Sequence, residues 1–221
     1  MIDFNWLTER DKKVLEFLSH AKYVSTSQIT QLFFEENYHD GSKNKYADII
    51  CRRRMKVIAD NGLVKSFYRQ ANKDKIYTMQ DVKLERIVTI NQIQHSLELN
   101  DLFIEIHRHA KKNNHTIYDF YIEKPIQNKI IPDMILVYEI RHKAKIFFIE
   151  YDRGTETITR IRKKRKDYKT YFDKQYYLNE DWQVSNIKPD LWYITKSEKR
   201  AKNIERLGIN ATTNIKNVLN F

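Results

Sequence analysis

The sequence predicts an α+β chain in two parts: a small helical domain closed by a β-hairpin over residues 1–83, then a mixed-sheet domain over 84–221. Three observations lead there. Apolar residues recur at helical spacing three times before residue 60 and then give way to two short β-prone runs. A later run, Ile146-Phe147-Phe148-Ile149, is apolar and β-prone and ends in the acids Glu150 and Asp152. The charge is also uneven: 15 Lys/Arg against 12 Asp/Glu up to residue 85, but 25 against 17 beyond it.

The first part reads as three helices and a hairpin. Thr8, followed three residues later by Asp11, is a helix N-cap, and Val14, Leu15, Phe17 and Leu18 lie on one side of the turns after it. Ser25 to Ser27 caps a second helix with Ile29, Leu32, Phe33 and Phe34. His39 to Lys45 is polar and reads as a loop. A third helix runs from about Asn44 to Asp60, with Ile49, Ile50, Val57 and Ile58 as its apolar side and Asn61-Gly62 as its stop. Leu63 to Tyr68 and Lys75 to Met79 form two strands around a polar turn at 70–74. This order is the plan of a winged helix-turn-helix, in which the third helix enters a DNA major groove. Arg52, Arg53, Arg54 and Lys56 on that helix are candidate DNA contacts. Consecutive residues point in different directions around a helix, so at most two of the three arginines face one groove. The competing readings are a solvated basic face and a protein-docking module.

The second part opens with a long helix, about Leu84 to Lys112, on which His95, Glu98, Asn100 and Asp101 are polar. His107, His109 and His115 fall in a basic stretch and read as surface residues, with no partners at zinc-ligand spacing. Strand-like segments follow at Thr116–Glu123, Met134–Ile140 and Lys145–Tyr151. If Arg141 to Ala144 is the turn, Ile140 pairs with Lys145, Asp133 lies opposite Asp152, and Ile135 lies opposite Glu150. Side chains alternate with period two, so Asp133, Glu150 and Asp152 converge on one face. A one-residue slip breaks this. Three such carboxylates repel one another unless a divalent cation joins them, and carboxylates suit Mg²⁺ or Mn²⁺. A metal there activates a water toward a phosphodiester. Alternatively Asp133 caps a turn, and Glu150 and Asp152 pair with nearby cations. Gly154 leads to Thr155, which caps a helix to about Phe172 with Glu156 in its first turn. Its Arg160, Arg162, Lys163, Lys164, Arg165, Lys166 and Lys169 read as a DNA-backbone clamp. Asp190–Thr195 reads as the last core strand, and Lys196–Leu207 as a basic helix outside it.

Composition narrows the function. The net charge of +11 favours a polyanionic partner. With 4 Gly and no GxGxxG or GxxxxGK[ST], P-loop and dinucleotide-binding chemistry are excluded. One cysteine, Cys51, excludes a disulfide framework. No apolar run approaches the ~18 residues of a membrane span and no signal-peptide core opens the chain, so a cytoplasmic protein with no membrane partner is expected.

Residues 7–172 resemble the replication-relaxation family of plasmid and mobile-element proteins, which is related to the relaxases of one conjugative mobilisation class. The resemblance rests on LTERDKKVLEFLSHAKYVSTSQITQLFF, on IQHSLELNDLFIEI with His95 and Asn100, on PDMILV, and on FFIEYDRGTET followed by Lys164 and Tyr168. It implies a winged helix fused to a restriction-endonuclease-like core of the PD-(D/E)xK type, DNA binding in plasmid replication or mobilisation, and nicking. Carried onto this chain, it makes Asp133 and Glu150 metal ligands and leaves Asp152 where the nuclease pattern has lysine. Lys164 then supplies the missing charge, and Glu98 is a further ligand. Tyr168 is either a core residue or a covalent nucleophile. The expected partners are double-stranded DNA at an origin-like site, replication or mobilisation proteins, and a second copy of the chain. The rival function is a non-catalytic, site-specific DNA-binding factor with a degenerate nuclease fold.

Overall fold

A computed structural model describes residues 5–36, 41–68, 74–81 and 89–219. Within these the chain is α+β and divides into two compact units, Met1–Ile104 and Glu105–Phe221. The expected loop at 39–40, the hairpin turn at 70–73, the helix start at 84–88 and the boundary at 83/84 lie outside the described residues.

In the first unit, α1 (Glu9–Ala21) and α2 (Thr26–Phe33) open on capping boxes: Thr8 with Asp11, and Ser25 with Gln28. Between them β1 (Val24–Ser25) pairs antiparallel with β3 (Lys75–Met79), which also pairs with β2 (Val64–Tyr68). The sheet order is β1-β3-β2, and α3 (Ala47–Asp60) precedes its hairpin.

α3 is rotated from the expected orientation. Its buried residues are Ala47, Cys51, Met55 and Ile58, whereas Ile49, Ile50 and Val57 are 47%, 38% and 40% exposed. The cause is Asp11, a carboxylate only 1% exposed. Arg54 reaches it with Nε at 2.7 Å and also donates to the Trp6 carbonyl at 3.0 Å. An unpaired buried carboxylate costs several kcal/mol, more than exposing a few methyls, so the helix turns to bring Arg54 inward. Burial alone raises the Asp11 carboxyl, but hydrogen bonds from Arg54 and Thr8 outweigh it and hold it below its ordinary value.

α4 (Ile90–Asn113) runs across the boundary between the units. In the second, β4 (Thr116–Ile122), β5 (Met134–Ile140) and β6 (Lys143–Asp152) pair antiparallel. α5 (Ile158–Asp173) then leads to β7 (Asp190–Thr195), parallel to β6, and α6 (Glu198–Glu205) leads to β8 (Asn210–Thr212), parallel to β7. The mixed sheet reads β4-β5-β6-β7-β8, and α7 (Lys216–Leu219) follows. β7 is therefore not the last core strand, because the three residues of β8 add an edge the pattern was too short to signal. α5 packs Tyr168 and Tyr171 on Ile135, Val137, Ile146 and Phe148. No helix among the described residues is long and apolar enough to cross a membrane.

Two further expectations change. Thr157, not Thr155, caps α5, its side chain accepting from the Arg160 N–H at 3.2 Å. Asp152 has already accepted the Gly154 N–H at 3.0 Å, with Gly154 at φ +83°, and this turn delays the helix and leaves Glu156 ahead of the cap. His109 is buried rather than a surface residue, its ring 5.8 Å from that of His115.

Candidate active site in the second unit

The β5–β6 hairpin sets the site. Its turn is two residues long, Arg141 and His142, both with positive φ (50° and 64°). Such left-handed pairs match the right-handed twist of the flanking strands. Ile140 therefore pairs with Lys143 rather than Lys145, and Met134 with Ile149. The expected register is off by two residues, which preserves the faces and changes the neighbours. One step beyond the ladder Asp133 stands beside Glu150, not opposite Asp152. Asp133, Glu150 and Asp152 still share the face on which Ile135 and Phe148 meet α5.

Glu150 is 2% exposed and held from α5 on both oxygens: the Tyr168 hydroxyl donates to Oε1 at 2.6 Å and the Lys164 ammonium to Oε2 at 2.7 Å. Lys164 and Tyr168 are four apart and so project from one side of the helix. Burial first, then the Asp133 carboxylate, push Glu150 up to about 8 against the pull of Lys164 and Tyr168. The carboxylates of Glu150, Asp133 and Glu156 outweigh burial at Lys164 and hold its ammonium charged. Burial and Glu150 hold the Tyr168 hydroxyl protonated. Tyr168 is 1% exposed, so the core placement considered for it is correct, and its hydroxyl serves Glu150 from there.

Around this pair, the Tyr151 N–H donates to Asp133 Oδ2 at 2.7 Å. Glu156 takes Lys164 at 3.1 Å and Arg160 at 3.1 Å. Asp152 is drawn away: Arg200 bridges both its oxygens, with Nη2 at 3.3 Å from Oδ1. Glu123, at the end of β4, has a carboxylate oxygen within 4.8 Å of one of Asp133. Sequence reasoning passed it over, although a strand end carrying an acid was the same signal that singled out Glu150. Tyr193 pairs with Glu150 in the parallel ladder, is fully buried, and its hydroxyl has no hydrogen-bond partner among the described residues.

The remaining candidates sort by position. Arg160 and Lys163 lie on the exposed face of α5. On α3, Arg53 and Lys56 are exposed, Arg52 is paired with Asp48 at 2.8 Å, and Arg54 is committed to Asp11. His95, Glu98 and Asn100 belong to the part of α4 in the first unit. There Asn100 donates to the Tyr23 carbonyl at 2.7 Å and Gln94 donates to Glu98 at 3.1 Å.

The model of the replication-relaxation family matches residues 15–187. The chain belongs to the replication-relaxation family. No curated protein matches this member of the family. Among solved structures, that of restriction endonuclease FokI bound to DNA is similar, with 11% identity and a TM-score of 0.29 over 96% of this chain and 44% of that one. The chain thus spans less than half of that structure's length, and a TM-score of this size establishes no shared fold.

Proposed function

We propose that this family member binds double-stranded DNA of a plasmid or mobile element and nicks it with the help of Mg²⁺ or Mn²⁺, in replication or mobilisation. The observation that carries the reading is Glu150: a carboxylate buried beside a second carboxylate, with a lysine ammonium 2.7 Å away on the neighbouring helix. Near neutral pH a buried acid pushed up to about 8 lowers the stability of the fold, which supports a ligand that would offset the cost. The helix order of the first unit and its β2–β3 hairpin support a winged helix-turn-helix with α3 as the helix for DNA. In the second unit, a three-stranded meander, a helix and a parallel strand with an acid before β5 and another near the end of β6 support a PD-(D/E)xK-like core.

The residues fit a hard divalent cation. Asp133 and Glu123 bring carboxylate oxygens within 4.8 Å of each other, Glu150 stands beside Asp133 on the neighbouring strand, and the Tyr193 hydroxyl paired with Glu150 lacks a partner among the described residues. Asp133 and Glu150 would hold the ion, with Glu123 as a third ligand. A bound ion would supply an activated water and neutralise charge on the phosphate. Tyr168 fixes the orientation of the Glu150 carboxylate. Lys164 keeps its proton and presents a positive charge where the nuclease pattern has its lysine, two residues after Glu150. Asp152 fills that position and ties β6 to α6 through Arg200. Exposed Arg160 and Lys163 on α5 contact the DNA backbone.

The test is nicking of a supercoiled plasmid carrying the cognate replicon, with Mg²⁺ or Mn²⁺, by wild type, Asp133→Ala and Glu150→Ala. Loss in both variants with DNA binding intact supports the reading. A second reading, a non-catalytic DNA-binding factor, is favoured by the aspartate at 152. It prevails if the wild type binds tightly and salt-sensitively yet nicks nothing.

A further inference from the structure

The outward face of α3 is unusual for a solvated helix. Ile49, Arg53, Val57 and Ile50 lie within about a third of the helix circumference, and Tyr46, 58% exposed, stands at its start. Its three β-branched side chains are 38–47% exposed, where a solvated helix face usually carries polar residues. Lys56 flanks the strip on one side, and Arg53 sits within it. From residue 49 to 57 the strip is about 12 Å long, at 1.5 Å per residue, which matches the width of the B-DNA major groove. An apolar strip bordered by cations is a poor match for a neutral protein groove, because docking would strip water from Arg53 without pairing it. It matches a surface that offers methyl groups between rows of phosphates. The thymine C5-methyl is the apolar group that the major groove presents.

We infer that α3 reads thymine methyls with Ile49, Ile50 and Val57, around an Arg53 that bonds a base edge or phosphate, so that the DNA site is rich in A·T pairs where this helix lies. The inference rests on the DNA-binding reading of α3 and adds its sequence preference.

The test uses the full chain. A random duplex library is enriched by binding to the wild type, and the enriched duplex is then made with thymine or with uracil, which differ by that methyl alone. Binding is measured by fluorescence anisotropy at fixed salt. About fourfold weaker binding is expected for each contacted methyl removed. Ile49→Ser and Val57→Ser should bind the two duplexes almost equally, while Lys56→Ala should weaken both alike. Thermal melting checks that the variants fold, and these exposed positions should leave it within a degree or two. Equal binding of thymine and uracil duplexes by the wild type overturns the inference and leaves DNA binding standing. Failure to bind any duplex, with nicking also absent, overturns the reading beneath it. Self-association in sedimentation that Ile49→Ser abolishes would assign the face to a second copy of the chain instead.

Discussion

Asp11 in the first unit and Glu150 in the second are both buried carboxylates, 1% and 2% exposed, and both meet a cation on a neighbouring helix. They respond in opposite directions. Asp11 is held below its ordinary value because hydrogen bonds from Arg54 and Thr8 satisfy both its oxygens and outweigh burial. Glu150 is pushed up to about 8 because Asp133 shares its surroundings and Lys164 divides its charge between Glu150 and Glu156. Equal burial with unequal compensation separates an acid satisfied by its partners from one set against a neighbouring acid.

The sharpest way to break that contrast is Lys164→Met. Nicking should fall about a hundredfold or more if this ammonium stabilises transition-state charge, while Tyr168→Phe, which only orients Glu150, should cost tenfold or less. Single-turnover nicking rates decide it, and a Tyr168→Phe variant that loses all activity would restore the tyrosine as nucleophile. Next comes Arg54→Met, which strands Asp11. It should lower stability in urea by about 3 kcal/mol, whereas Arg52→Met, breaking an exposed pair with Asp48, should cost under about 0.5 kcal/mol.

The two acids also predict opposite pH slopes in chelator-treated protein. The depressed Asp11 contributes stability that is full above about pH 4 and lost as pH falls through its folded value. The raised Glu150 contributes stability that is full below about pH 4.5 and lost as pH climbs to about 8. Glu150→Gln should therefore flatten the decline between those pH values, read from urea midpoints, while Asp11→Asn should remove only the acid limb. Last comes Tyr193→Phe. Deleting an unpartnered buried hydroxyl should raise metal-free stability by about 1 kcal/mol and weaken Mn²⁺ binding by calorimetry.

What the sequence made legible was local. The caps at Thr8 and Ser25 and the strands 134–140 and 190–195 follow from patterns a few residues long, and the structure has them where they were expected. The family resemblance was likewise carried by contiguous motifs. What escaped depends on partners far along the chain. The rotation of α3 is set by a residue 43 positions away, and Asp152 is claimed by Arg200, 48 positions on. The hairpin register hung on whether Arg141 and His142 would both accept left-handed backbone, which non-glycine residues rarely do. Glu123 joined Asp133 only through the antiparallel return of β4.

That two-residue turn has an evolutionary consequence. Loops at the surface usually drift in length with little penalty, yet this one meters the distance along β6 to Glu150. If the strands slid past each other by one residue, Glu150 would go to the opposite side of the sheet and an apolar neighbour would take its place. A slide of two would keep an acid inside but could bring Asp152, in place of Glu150, abreast of Asp133. Turn changes at residues 141–142 that keep Ile140 against Lys143 are therefore the ones that preserve which acid stands beside Asp133.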